Sequence, residues 1–194
     1  MKKTITITIL LCIALASFAQ NAKKTMDKAV ASFKKASVTA TYIAKGQMSD
    51  AGTIQIKGNK FCARGKQSVV WYDGKTQWTY MKSTEEVNVV TPNKKKVSVL
   101  NPYEVLNLYK NGYTLSEKKT DAGTVIHMTA TGNQAFKEIY LTLDAKLQPV
   151  KLNFKNSKGW TYVTITNYIA AKLPDSTFKF SSKEFPNAEI NDLR

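Results

Sequence analysis

The stretch from Gly52 to Val90 constrains this chain more than any other. Ile54 and Ile56 alternate with Thr53, Gln55 and Lys57, and a second short strand follows around Phe61 after a break at Gly58-Asn59. Val69-Val70-Trp71-Tyr72 leads into Asp73-Gly74, Trp78-Thr79-Tyr80 leads out, and Val87 and Val89 repeat the period of two. Period-two alternation in short runs separated by turn residues is the pattern of half-buried strands, and it is incompatible with a helix. Asp-Gly between two such runs predicts a hairpin with a type I′ turn, because both central residues tolerate positive φ. The stretch therefore reads as an antiparallel meander of five strands with one apolar face.

The rest of the chain extends this pattern. Residues 22–38 predict a helix with Met26, Ala29, Val30 and Phe33 on one stripe and lysines on the other face. That stripe suits ordinary packing on a sheet or the closure of one end of an apolar cavity. Val38–Lys45 predicts a strand. Pro92 ends the meander, Lys94-Lys95-Lys96 makes a solvated loop, and Pro102 to Gly112 predicts a short helix with proline in its first turn and glycine at its end. Strands follow at Tyr113–Lys119, Gly123–Ala130, Lys137–Leu143, Pro149–Lys155 and Trp160–Tyr168, and the chain closes with Leu173–Phe180 and the tail FPNAEINDLR. About ten or eleven antiparallel strands joined mostly by hairpins predict a mainly β fold with short α-helices. It would be a single strongly curved antiparallel sheet, an incomplete (half) barrel with helices on its concave face.

Residues 1–19 form a signal peptide, with Lys2 and Lys3 before an apolar run from Ile5 to Leu15 and Ser17-Phe18-Ala19 at a cleavage site. The run is too short for a membrane span, and Leu11 before Cys12 is a poor context for lipidation. Residues 20–194 form a single domain that is expected in the periplasm. Its one cysteine, Cys62, allows no internal disulfide, so the fold rests on its core. The chain carries 29 Lys and Arg against 14 Asp and Glu, a net charge of +15. The lysines are spread along nearly every strand and turn, which argues against nucleic acid and leaves a solvated surface or an anionic membrane surface.

No pattern supports catalysis. The one histidine, His127, stands mid-strand, Glu85-Glu86 falls in a turn, and no metal-ligand spacing, phosphate-binding glycine loop or Gly-x-Ser-x-Gly context occurs. No enzyme activity and no cofactor are expected. What remains is aromatic surface: three tryptophans and nine tyrosines, with Trp71 and Tyr72 on opposite faces and Trp78 and Tyr80 on one. Aromatics on both faces require cover on both, or a bound apolar ligand. A glycan-binding module would need Trp71 or Trp160 exposed on a flat face.

The Gly52-x-Ile54-x-Ile56-Lys57 strand, the strand at Phe61 and the segment Asp73-Gly74-Lys75-Thr76-x-Trp78-x-Tyr80 together resemble the outer-membrane lipoprotein carrier (LolA-like) family. Asn101, Pro102, Leu106, Tyr113 and Leu115 extend the likeness. The resemblance implies a periplasmic carrier that shields the acyl chains of outer-membrane lipoproteins in an apolar cavity. It would receive them from an inner-membrane lipoprotein-releasing transporter and pass them to an outer-membrane acceptor, as a monomer. Parity and the family analogy assign the lipid-binding lining to Ile54, Ile56 and Phe61, then Trp78 and Tyr80, then Leu106 and Tyr109, and finally Ile139, Leu141, Leu143, Leu152 and Phe154. Family members carry Arg-Pro after the strand lysine, an arginine that helps hold the lid closed; Gly58 and Asn59 stand there in this chain. The same fold could instead carry another amphiphile, or serve as a protein-binding adaptor or sensor.

Overall fold

The computed structural model describes residues 20–47, 49–92 and 102–194. The leader, the Lys94–Lys96 loop and Asn101 lie outside the described residues. A helix, α1, covers residues 20–35. It stops short of the expected end because Ser37 and Val38 already pair with Lys57 and Ile56. The first half of the sheet is β1 (Ser37–Gly46), β2 (Asp50–Lys57), β3 (Lys60–Arg64), β4 (Ser68–Tyr72), β5 (Gln77–Met81) and β6 (Glu86–Val90). Then come α2 (Pro102–Asn107), a 3-10 turn (Leu108–Lys110), β7 (Tyr113–Thr120), β8 (Gly123–Ala130), β9 (Glu138–Leu143), β10 (Pro149–Asn156) and β11 (Gly159–Ala170). A second 3-10 turn (Asp175–Phe178) and β12 (Glu189–Asp192) end the chain.

All twelve strands form one open, curled sheet in the order β12-β6-β5-β4-β3-β2-β1-β11-β10-β9-β8-β7. Two meanders, β1–β6 and β7–β11, meet along the long β1/β11 seam. A bulge interrupts that seam between Thr39 and Thr41, opposite Asn167, whose φ is 55°. One extra residue on one strand bends and twists the pair, so the seam contributes to the curl. Every pairing is antiparallel except β12, which lies parallel to β6. The closing segment Leu173–Phe180 contains a 3-10 turn at Asp175–Phe178, and the last strand lies further on, in the tail. The Asp73-Gly74 hairpin is present, but its loop is wider than a two-residue turn. The Asp73 carboxylate accepts the backbone N–H groups of Lys75 and Thr76 (3.0 and 2.8 Å), which stabilises a four-residue loop.

Each face of the sheet has its own core. On the inner face, Ala22, Met26, Ala29, Val30 and Phe33 of α1 pack on Ile56, Phe61, Val70, Ile126, Met128, Ile139, Leu141, Leu143 and Phe154. On the outer face of β3–β6, Cys62, Val69, Trp71, Tyr80, Val87 and Val89 are covered by Leu173 and Phe178 of the C-terminal strap. Ion pairs pin the strap: Asp175 to Lys57 and Lys60 (3.0 and 2.7 Å), and Glu184 to Arg64 (2.6 Å). The two lysines, Lys60 foremost, hold the Asp175 carboxyl at about 2. Burial pushes the Cys62 thiol up to about 11, so it remains a protonated packing group.

The glycine that opens the family motif has a steric basis. A Cβ on Gly52 would lie 1.9 Å from the Arg64 carbonyl oxygen of β3. Gly52→Ala is expected to lower stability by about 3 kcal/mol, read by chemical denaturation.

Candidate functional site: an apolar cavity beneath the helices

Between the helices and the inner face of the sheet lies a cavity of about 40 Å³. Its walls are Phe33 of α1, Val105 and Leu106 of α2, Ile54 and Ile56 of β2, Leu141 of β9, Pro149 and Leu152 of β10, and Ile165 and Tyr168 of β11. The Tyr168 hydroxyl is donated to the Pro149 carbonyl, and burial pushes its phenol above the ordinary range. The space would hold about two or three water-sized probes, but it offers almost nothing for water to bond to, and apolar cavities of this kind stay empty.

Five of the residues assigned to the lining from sequence are walls of this cavity: Ile54, Ile56, Leu106, Leu141 and Leu152. Phe61, Tyr109, Ile139, Leu143 and Phe154 belong to the same inner core without forming its walls. Trp78 and Tyr80 do not join them. They stand across from Trp71 and Val69 and pack in the outer core, under the strap. Phe33 was visible in sequence on the stripe of α1, and Val105 beside Leu106. Ile165 keeps the inward parity of Thr161 and Val163 but was not among the residues assigned to the lining, and Tyr168 was hidden because strict alternation from Trp160 puts it on the outer face. The extra residue at Asn167 shifts the phase and returns Tyr168 inward beside Ile165.

The helices over the cavity are tied down at identifiable points. The Tyr109 hydroxyl, on the 3-10 turn after α2, donates to the Asp27 carboxylate of α1. Thr25 Oγ1 donates to Glu117 of β7 at 2.7 Å. The Gly58 N–H donates to the Ala36 carbonyl, just past the end of α1, at 3.2 Å. Gly58 thus holds the α1 end through its backbone, in a left-handed conformation (φ 58°) that suits glycine.

The Tyr109 bond, helped by Lys23, holds the Asp27 carboxyl below its ordinary value of 3.8. A depressed carboxylate contributes stability that is complete above the ordinary value and is lost as pH falls through the depressed one. Tyr109→Phe is therefore expected to speed amide exchange in residues 20–35 severalfold at neutral pH. In the unmodified protein the same acceleration appears only in acid, below pH 3.8. Exchange that is unchanged in the variant would show that the bond does not hold the helix.

Among the described residues, no group of three His, Cys, Asp or Glu side chains could hold a metal ion, and no helix is long and apolar enough to cross a membrane. A search of curated proteins finds no match. Among solved structures, an uncharacterized conserved protein from Thermus thermophilus superposes with a TM-score of 0.60 at 15% identity, covering 90% of this chain and 98% of that one. A DUF1329 family protein from Desulfovibrio piger gives 0.49 at 11% identity, covering 85% and 98%. A LolA superfamily protein from Nitrosomonas europaea gives 0.45 at 12%, covering 82% and 97%. Identities this low make the likeness one of fold. The family model described as outer membrane lipoprotein carrier protein LolA matches residues 12–158, most of the chain and all of the cavity's walls except Ile165 and Tyr168. The chain belongs to the outer membrane lipoprotein carrier protein LolA family.

Proposed function

We propose that the protein is a periplasmic carrier that shelters the acyl chains of outer-membrane lipoproteins between the helices and the inner face of its sheet. In this role it takes them from an inner-membrane releasing transporter and hands them to an outer-membrane acceptor. The observation that carries this reading is a dry, apolar space roofed by two helices that pack on the sheet through apolar side chains and are tied to each other and to the sheet by the Tyr109–Asp27 and Thr25–Glu117 bonds. At about 40 Å³ the space is closed in this state, so a chain enters only as the helices lift.

The energetics suit loading and release. Lifting α1 would expose Met26, Val30 and Phe33 at about 1.5–3 kcal/mol each, roughly 5–9 kcal/mol in total. Burying about a dozen CH₂ groups returns about 10 kcal/mol at ~0.8 kcal/mol each. The exchange of helix for acyl chain is nearly balanced, so the cargo is held and still released. No step needs a nucleotide or a metal. The test is competition: a triacylated lipopeptide displaces a fluorescent apolar probe from the protein, whereas its deacylated peptide does not. Equal displacement by both peptides would overturn the reading.

The small volume of the closed cavity also favours a second reading, a protein-binding adaptor that pairs a partner strand to the free edge at β7. Lys118 and Lys119 on that strand oppose such pairing. Binding of the deacylated peptide that leaves the apolar probe in place would support the adaptor reading.

A further inference from the structure

The strap's apolar side chains pack on the outer face of β3–β6, and its Leu173 carbonyl and Asp175 reach Lys57 at the end of β2. Beyond the seam nothing among the described residues covers the same face, and the strand register places Ser116, His127, Tyr140, Asn153, Tyr162 and Lys45 in one row across β7, β8, β9, β10, β11 and β1. Trp160 stands in the next row, opposite Lys155. The His127 and Tyr140 rings stack at 4.1 Å and 6°, and those of Trp160 and Tyr162 at 6.0 Å and 20°. Tyr162, Ile43 and Ile169 are 49%, 48% and 63% exposed. Four exposed lysines (Lys45, Lys118, Lys151 and Lys155) point to the same side by alternation. None of them pairs with a carboxylate among the described residues. The one carboxylate at an outward position on these strands, Glu138, is taken up by His127 and Thr129.

We infer that this uncovered face docks the protein onto an anionic bilayer surface. The face mixes exposed apolar and aromatic groups with lysines that have no carboxylate partner among the described residues, one of which, Lys155, lies over the Trp160 ring at 5.9 Å. At a lipid interface both find partners: tryptophan and tyrosine settle at the headgroup level with their polar edges wet, and lysines meet the phosphates. A bound sugar fits less well, because the His127 and Tyr140 faces are stacked on one another and Lys155 lies over the Trp160 face. The patch lies on the opposite side of the sheet from the cavity, and its docking is independent of whether the cavity takes an acyl chain.

The test is flotation with vesicles free of any lipoprotein. The protein is expected to float with phosphatidylglycerol-containing vesicles and not with pure phosphatidylcholine, and to be released by raised salt. Lys151→Gln and Lys155→Gln each lower partitioning about fivefold, the effect of one basic residue near an anionic surface, with circular dichroism unchanged. Brominated lipid quenches tryptophan emission, and Trp160→Phe removes most of that quenching. No binding to the anionic vesicles, or binding indifferent to both lysine variants and to Trp160→Phe, would overturn the inference. So would retention on an anionic polysaccharide without vesicle binding, or a concentration-dependent dimer that buries Trp160.

Discussion

Leu141→Arg is expected to abolish uptake of an acyl chain. Leu141 is a fully buried wall of the cavity, paired with Ile126 on β8 and Leu152 on β10. A guanidinium there would face apolar walls with no partner, and leaving a buried charge uncompensated costs about 3–5 kcal/mol. Leu106→Arg places the same charge on the roof, in α2, where the helix can tilt outward. The two variants separate fold from site. Both are expected to lose binding of an apolar probe, and the Leu106 variant, which strains the sheet less, is expected to keep its strand signal in circular dichroism. Normal uptake by stably folded forms of both would remove these residues from the binding wall.

Trp71→Ala is expected to lower stability by about 3–5 kcal/mol while leaving the cavity's walls in place. Trp71 is 1% exposed on the outer face. Its ring meets Phe180 and Phe185 of the strap edge-on, at 5.7 and 5.5 Å, and the Arg64 guanidinium lies 5.6 Å from its centre. Removing it empties the joint between sheet and strap, so the strap is expected to become the first site of proteolysis. The ion pairs at Asp175 and Glu184 do not compensate, since exposed pairs are screened by water and hold little. A loss below about 1 kcal/mol would mean that the strap does not depend on this ring.

The meander was legible because its alternation is strict, and Gly52 and Asp73 mark a close approach and a side-chain-stabilised loop whose residues are readable. Ile54 and Ile56, placed together by parity within β2, both wall the cavity. Trp78 and Tyr80 obey the same parity within β5, but alternation alone does not say which of two apolar faces a strand turns to which core. That depends on the strap, a segment distant in sequence whose Phe178, Phe180 and Phe185 cover the outer aromatics. Within Leu173–Phe180 the chain after Pro174 closes a 3-10 turn at Asp175–Phe178, which no periodicity in that segment marks. Tyr168 was hidden by the bulge at Asn167, which no local residue pattern marks. The parallel pairing of β12 with β6 rests on four residues and on contacts made across the length of the chain, so the tail carries little signal of its own.

The central claim, that the space beneath the helices carries acyl chains, is tested most directly by native mass spectrometry of the mature protein purified from its envelope without detergent. The account predicts a population heavier by the mass of a triacylated lipoprotein or lipopeptide, lost in the Leu141→Arg variant. Bare protein that also fails to bind a fluorescent apolar probe would contradict it.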